Sequence, residues 1–341
     1  MFAPSSKKSS TTPYMTSPMT PPLTLSSSPK ATSPDWSALA LALEENPDYK
    51  VLRRLNPEKW LLANETAVHR LGTLKGVVLD TETTGMNSLS DKVIELGMIV
   101  FEYDPVSAKV VSVSHVFNEL EDPGFAIPPE STEIHHITDA MVKGKSINDQ
   151  AVHDLLQGVS LVIAHNARFD RPFVENRWPI FTTLPWGCSI QDVNWRTNGV
   201  GSAKLEYLAM LQGVFYEAHR AVTDCWALLE ILNMHLSKEN QTVAQGLFES
   251  IDKKEHQVYA IGAPFESKDL LKSRAYRWNA EIKSWSKVLG SFEGMKEELA
   301  WLKVNVYGHK KDAKVEIETF SRLEKYSDRP GDIKLQSLAT L

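Results

Sequence analysis

Apolar and polar positions change rhythm several times along this chain, and each change marks an element. From Lys75 the run GVVLDTE is apolar and ends in acid, the pattern of a buried strand with a functional carboxyl end. KVIELGMIVFEYD and AKVVSVSHVFNEL continue as two more strands, joined by a turn at Asp104-Pro105. Three strands with short links predict an antiparallel meander. The rhythm then turns helical over residues 139–142 and 146–156. LVIAH returns to a buried strand, and NARFDRPFVENRW, SAKLEYLAMLQG and RAVTDCWALLEILNMHLS follow as helices. The order β-β-β-α-β-α predicts an α/β domain over residues 75–240, with a mixed sheet flanked by helices.

The flanks have other rhythms. Residues 1–34 are Ser, Thr or Pro at 22 positions, a composition that buries too little apolar surface to offset its ordering entropy, so disorder is expected. A transit peptide is the rival reading, opposed by the absence of Arg and of an amphipathic pattern. Residues 35–74 carry good helix formers interrupted at Pro47, and predict a helical lead-in that packs on the next domain. Residues 253–311 read as strand, helix, hairpin and helix, a small α+β module. Residues 312–341 show weak periodicity and read as a polar tail.

Composition narrows the class. The chain has 341 residues with 42% hydrophobic and 23% charged, ordinary for a globular protein and enough for one large domain or two modest ones. Net charge is −6, so no global basic field points to nucleic acid, although metals and local patches supply positive charge where it is needed. Cys188 and Cys225 are the two cysteines and form no CxxC pair, which fits a reducing compartment such as the cytoplasm. No apolar run reaches membrane-span length, and no secretory core is present in the N-terminal segment.

Five residues suggest chemistry. Asp80 and Glu82 lie two apart at the end of a strand and so point to one side. Such a pair repels unless one takes a proton or a cation binds. The alternative is a solvated surface pair, but the apolar strand before and Thr83-Thr84-Gly85 after favour a site. Asp170 follows the strand LVIAH; it reads either as a site acid or as an acid favouring a helix dipole. His219 and Asp224 stand around a helix start, where imidazole beside a metal-binding acid would serve as base near neutral pH.

Together, DTETTG (80–85), HNARFD (165–170) and HRAVTD (219–224), with IHHIT (134–138), resemble the DnaQ-like 3′→5′ exonucleases, in the group named for three Asp, one Glu and a His. The resemblance covers residues 75–237, and none of the five key positions departs from it. It implies an RNase H-like fold and two Mg²⁺ or Mn²⁺ ions: Asp80 bridging both, Glu82 and Asp224 on the ion that activates water, Asp170 on the second. It implies His219 as general base, release of nucleoside 5′-monophosphates from DNA 3′ ends, and a proofreading or repair setting. Thr83, Gly85 and Met86 would lie near the terminal nucleotide, with Asn166 and His135 as further candidates; helix packing is the other reading for His135. The same chemistry on RNA, as in RNase T or oligoribonuclease, is the alternative. An inactive nucleic-acid-binding scaffold is disfavoured by the intact acids.

Residues 253–311 hold 12 Lys and Arg against 7 Asp and Glu, reversing the balance of the chain. Tyr276, Trp278, Trp285 and Trp301 interleave with these bases, as in surfaces that stack single strands. Core packing is the favoured reading for Trp278 and Trp285, because small modules need large core residues. The segment resembles a bacterial accessory module with Lys-x-x-Gly-x-x-Trp, but Ala275 stands at the glycine position. QGLF (245–248) and QSLATL (336–341) faintly resemble sliding-clamp-binding peptides, so a polymerase or clamp enters as a candidate partner.

Overall fold

The computed structural model describes residues 34–60, 72–280, 282–308, 310 and 312–340. The expectation of disorder falls outside these residues up to position 33, as does the helical expectation for 61–71. The described chain forms two units, divided after Val51. In the first, Trp36–Glu44 is a helix whose N-terminus is capped by the Asp35 carboxylate, which accepts from Ser37 and Ala38 N–H.

In the second unit the lead-in departs from its helical expectation at strand β1 (Arg53–Arg54). Strands β2 (Leu74–Thr83), β3 (Val93–Tyr103), β4 (Val110–Leu120), β5 (Val159–Ala164) and β6 (Trp186–Cys188) build the central sheet in the order β4-β3-β2-β5-β6. The pairs β2–β3 and β3–β4 are antiparallel, as the meander requires, while β2–β5 and β5–β6 are parallel. Helices cover this sheet, giving the expected mixed sheet flanked by helices. Strand β7 (Val214–Phe215) pairs with β1 in parallel.

Because β2 is central and covered on both faces, its sequence is a continuous apolar run rather than an alternation. On one face Val78 and Ile99 pack with Leu228 and Leu229 of the helix Ala221–Leu232. On the other, Leu79, Leu96 and Met98 pack with Phe173 and Val174 of the helix Ala167–Arg177. The two-residue period therefore sends Asp80 and Glu82 toward the first helix and Thr81 toward the second.

Gly97 lies opposite Asp80 in the ladder. A Cβ there would sit 2.5 Å from the backbone of Ala221 and Val222, so only glycine lets that helix approach the strand so closely. Gly97→Ala should destabilise the protein by about 3 kcal/mol through overpacking. It should also depress activity, because the displaced helix carries Asp224. A thermal melt and an assay on the same sample check both.

Strands β8 (His235–Leu236) and β9 (Gln241–Thr242) form a short antiparallel pair before the helix Val243–Ile251. The QGLF segment lies in that helix: Leu247 is buried, and Gln245 closes a capping box with Thr242. QSLATL begins in the last strand and continues into buried Leu338. The leucines Leu247 and Leu338 of the two stretches are thus both held within the fold.

The C-terminal sheet contains β10 (Glu255–Ala260), β11 (Arg277–Asn279), β12 (Ser284–Leu289), β13 (Lys314–Phe320) and β14 (Asp332–Ser337), ordered β11-β12-β10-β13-β14. Residues 312–341 are thus no tail. Strand β14 lies at a sheet edge with four of its six residues exposed, so its sequence shows no buried face. Val258, Leu271, Tyr276, Leu299 and Val315 form the core beneath this sheet. Trp285 packs against that core, but Trp278 stays 51% exposed on the three-residue edge strand β11, against expectation. Ala275 adopts φ +68°, the left-handed conformation glycine takes freely, so the turn before Tyr276 bends that way without it.

No helix among the described residues is long and apolar enough to cross a membrane.

Candidate active site

The end of β2 and the start of the helix Ala221–Leu232 bring Asp80, Glu82 and Asp224 together, with one oxygen from each within 4.8 Å of the others. Their convergence follows from the Gly97 contact, which presses the helix onto the strands. The spacing of His219 and Asp224 has a local cause. Asp224 Oδ2 accepts the N–H groups of His219 at 2.8 Å and Arg220 at 3.1 Å, closing the turn that opens the helix. His219 sits in this turn at φ +65° with its side chain exposed. Asp224 Oδ1 accepts the Tyr216 hydroxyl at 3.0 Å.

Asp170 reaches the same region from the opposite face of the sheet. It is 2% exposed, and its Oδ1 accepts Thr81 N–H at 3.0 Å and Thr81 Oγ1–H at 2.8 Å. It is not among the three mutually close acids, yet it lines the same cleft. That cleft measures about 780 Å³ and is bordered by all five predicted residues.

The remaining candidates also border it. Thr83 Oγ1 donates to Gly85 O at 2.6 Å, fixing the turn after β2. Met86 is 82% exposed at the rim. Asn166 opens its helix at φ +81°. His135 is buried; its Nδ1 accepts Ile137 N–H at 3.0 Å, so the neutral ring carries its proton on Nε2, which has no hydrogen-bond partner. Burial lowers the pKa of His135, favouring that neutral ring.

The acids are strained electrostatically. Burial is the first cause in each case, and neighbouring carboxylates add to it at Asp80, Glu82 and Asp170. Glu82 is pushed up to about 8 by burial and then by Asp224 and Glu95. Asp80 is raised well above the carboxylate range by burial, then by Asp170, Asp224 and Glu82. Burial raises Asp170 to about 7 against the opposing Thr81 hydrogen bonds, and raises Asp224 against those of Tyr216 and the turn.

A raised folded pKa means that the native state holds protons the unfolded chain has released. Stability is then fully present below the unfolded values and is lost as pH climbs through the folded ones. The metal-free protein should melt progressively lower from the ordinary range near 4.5 up to about 8. Divalent cation should reverse the loss, with a larger gain at pH 8 than at pH 5. Calorimetry with and without Mn²⁺ at both pH values measures this.

Sequence patterns missed several supporting residues. Glu95 lies directly opposite Glu82, fully buried, and would repel it. Arg220 neutralises Glu95 through Nε at 3.1 Å and Nη2 at 2.7 Å, and Ala221 N–H adds a bond at 3.2 Å. An acid inside the apolar run VIELGMIV was the available signal. Thr81 was hidden inside the first motif, and nothing in the local pattern marks Tyr216.

Comparison with known proteins places the chain in a class. Residues 77–232 match the RNase_T family, described as exonuclease. DNA polymerase III subunit epsilon of Treponema pallidum (strain Nichols) is 30% identical over 173 residues, covering 47% of this chain and 77% of that protein. The DNA polymerase III PolC-type protein of Clostridium perfringens (strain 13 / Type A) is 32% identical over 174 residues, covering 48% of this chain but only 11% of the relative. Among solved structures, Exonuclease X in complex with 5′ overhanging duplex DNA shares 24% identity over 51% of this chain and 98% of that one, at a TM-score of 0.38.

The chain belongs to the RNase_T exonuclease family. It is a 3′→5′ exonuclease, a phosphodiester hydrolase of the DnaQ-like type. Exonucleases of this family depend on divalent metal, and a donor set made wholly of carboxylate oxygens fits a hard cation.

Proposed function

We propose that the protein removes nucleoside 5′-monophosphates one at a time from DNA 3′ ends, in a proofreading or repair setting. The observation that carries this reading is the cleft in which Asp80, Glu82 and Asp224 converge beside Asp170 and His219. Asp80, Glu82 and Asp224 would hold Mg²⁺ or Mn²⁺, with Asp170 completing the shell of a second ion. Bound there, such ions supply an acidified water and neutralise charge on the phosphate.

The residues of the chain do the rest. His219, exposed at the cleft and beside Asp224, takes the proton of the attacking water. Thr83, Gly85 and Met86 border the terminal nucleotide, Met86 with an apolar side chain suited to a base face. Asn166 and the Nε2–H of His135 offer polar contacts. Arg220 keeps Glu95 paired, so the field at Glu82 stays tolerable.

The kinship with polymerase III subunits supports a replicative polymerase as partner. The two buried, unpaired cysteines support a reducing compartment, the cytoplasm. Parallel digestion of single-stranded DNA, duplex DNA, mismatched duplex and RNA with Mg²⁺ tests the substrate. The reading expects the DNA strands to be the better substrates; a strong preference for RNA oligonucleotides would replace it with the exoribonuclease alternative.

A further inference from the structure

A loop of the C-terminal sheet reaches into the nuclease domain and grips the helix that carries Asp170. Arg171, the next residue, is 0% exposed. Its Nε donates to Glu175 at 2.7 Å, its Nη1 to the carbonyl of Lys325 at 2.6 Å and its Nη2 to the carbonyl of Leu323 at 2.5 Å. Two of these three bonds therefore end in residues 321–331, the connection between β13 and β14.

The other contacts of this loop point the same way. Glu175 accepts from Ser327 Oγ at 2.5 Å and from Arg329 Nη2 at 3.2 Å. Tyr326 is buried in the cluster that holds Phe173, Val174 and Trp186. Trp186 N–H donates to Arg322 O at 3.2 Å, tying the loop to the edge of the central sheet. Lys325, 2% exposed, donates to Ser250 O at 2.9 Å and faces Asp192 at 3.7 Å. Ser88, in the segment after β2 that borders the cleft, donates to Asp328 at 3.1 Å.

These bonds lock two positions together. Withdrawing the loop would leave a buried guanidinium with unpaired donors, which is strongly unfavourable. The helix therefore cannot move without the loop. Asp170 is a rigid neighbour of Arg171, and a shift of the helix would pull its carboxylate away from Thr81 N–H and Oγ1.

We infer that residues 321–331 form a positioning element of the active site, holding the Asp170 helix and the rim at Ser88 in register. Arg329 and Ser327 are its positioning residues, acting through Glu175. The inference rests on the exonuclease reading, because it assigns the loop a role in that same site.

The test uses full-length protein carrying Arg329→Gln, Arg329→Lys or Ser327→Ala. Each is assayed on thymidine 5′-(4-nitrophenyl phosphate), a substrate too small to reach the C-terminal sheet, and on a single-stranded oligonucleotide. Mn²⁺ affinity is measured separately by calorimetry, independent of turnover. Arg329→Gln should lower kcat on both substrates by about 10-fold and weaken Mn²⁺ binding, as supporting partners of a metal site commonly do. KM for the oligonucleotide should hold steady, and Arg329→Lys should recover most of the loss. If Arg329→Gln does not fold, Ser327→Ala carries the test with the same direction.

Folded variants with wild-type kcat and Mn²⁺ affinity would overturn the inference while leaving the nuclease reading intact. A loss confined to oligonucleotide KM would also overturn it, making the loop a nucleic-acid contact instead. A wild-type protein that neither hydrolyses the ester nor binds Mn²⁺ would remove both readings.

Discussion

Asp80→Asn should lower exonuclease activity by about 10³-fold or more, while the metal-free variant should melt as high as the wild type or higher at pH 8. The opposed signs follow from one cause. Asp80 is half-buried and lies among Asp170, Asp224 and Glu82, so its charge is unfavourable until a cation neutralises it. Asparagine keeps the shape and removes the charge. It relieves the repulsion in the metal-free state and removes the ligand that the metal-bound state needs. Asp224→Asn should lose activity to a similar degree, and its retained carbonyl can still accept the N–H groups of His219 and Arg220. Asp224→Ala would break that turn as well, and should therefore melt lower. Paired melts and rates separate these outcomes; a folded Asp80→Asn protein with near-normal rates would show that Asp80 is no ligand.

His219→Ala should lower turnover by about 10²- to 10⁴-fold, the usual worth of a positioned general base. Mn²⁺ affinity should remain near wild type, because Asp224 receives the backbone N–H of residue 219 rather than its ring. Residue 219 sits at φ +65°, which alanine adopts less readily than asparagine. His219→Asn is accordingly the cleaner variant: it keeps the turn and lacks a base near neutral pH. If either variant lost Mn²⁺ binding along with activity, His219 would be acting through the structure of the turn.

Much of the nuclease fold was legible because its strands are long and buried. VVL in β2 and LGMIVF in β3 are apolar on both faces, and such runs leave little choice of element. The acids at strand ends and helix starts were legible as a set, since Asp80, Glu82, Asp170, His219 and Asp224 keep one order and one kind of setting. What stayed hidden depends on neighbours distant in sequence. Glu95 acquires meaning only from the register that places it opposite Glu82. Tyr216 matters only because the turn brings its hydroxyl to Asp224. Residues 312–341 read as a tail because edge strand β14 has no buried face, although the loop before it closes on Arg171. Trp278 misled for the opposite reason: a large aromatic suggested core, and a short edge strand left it half in solvent.

The most direct measurement is digestion of a 5′-end-labelled single-stranded DNA oligonucleotide with Mn²⁺, resolved over time, with the released products separated by chromatography. A 3′→5′ exonuclease predicts a ladder shortening by single nucleotides from the 3′ end, nucleoside 5′-monophosphates as the product, and complete arrest by EDTA. Internal cuts, early release of the 5′ label, or cleavage that persists in EDTA would contradict it.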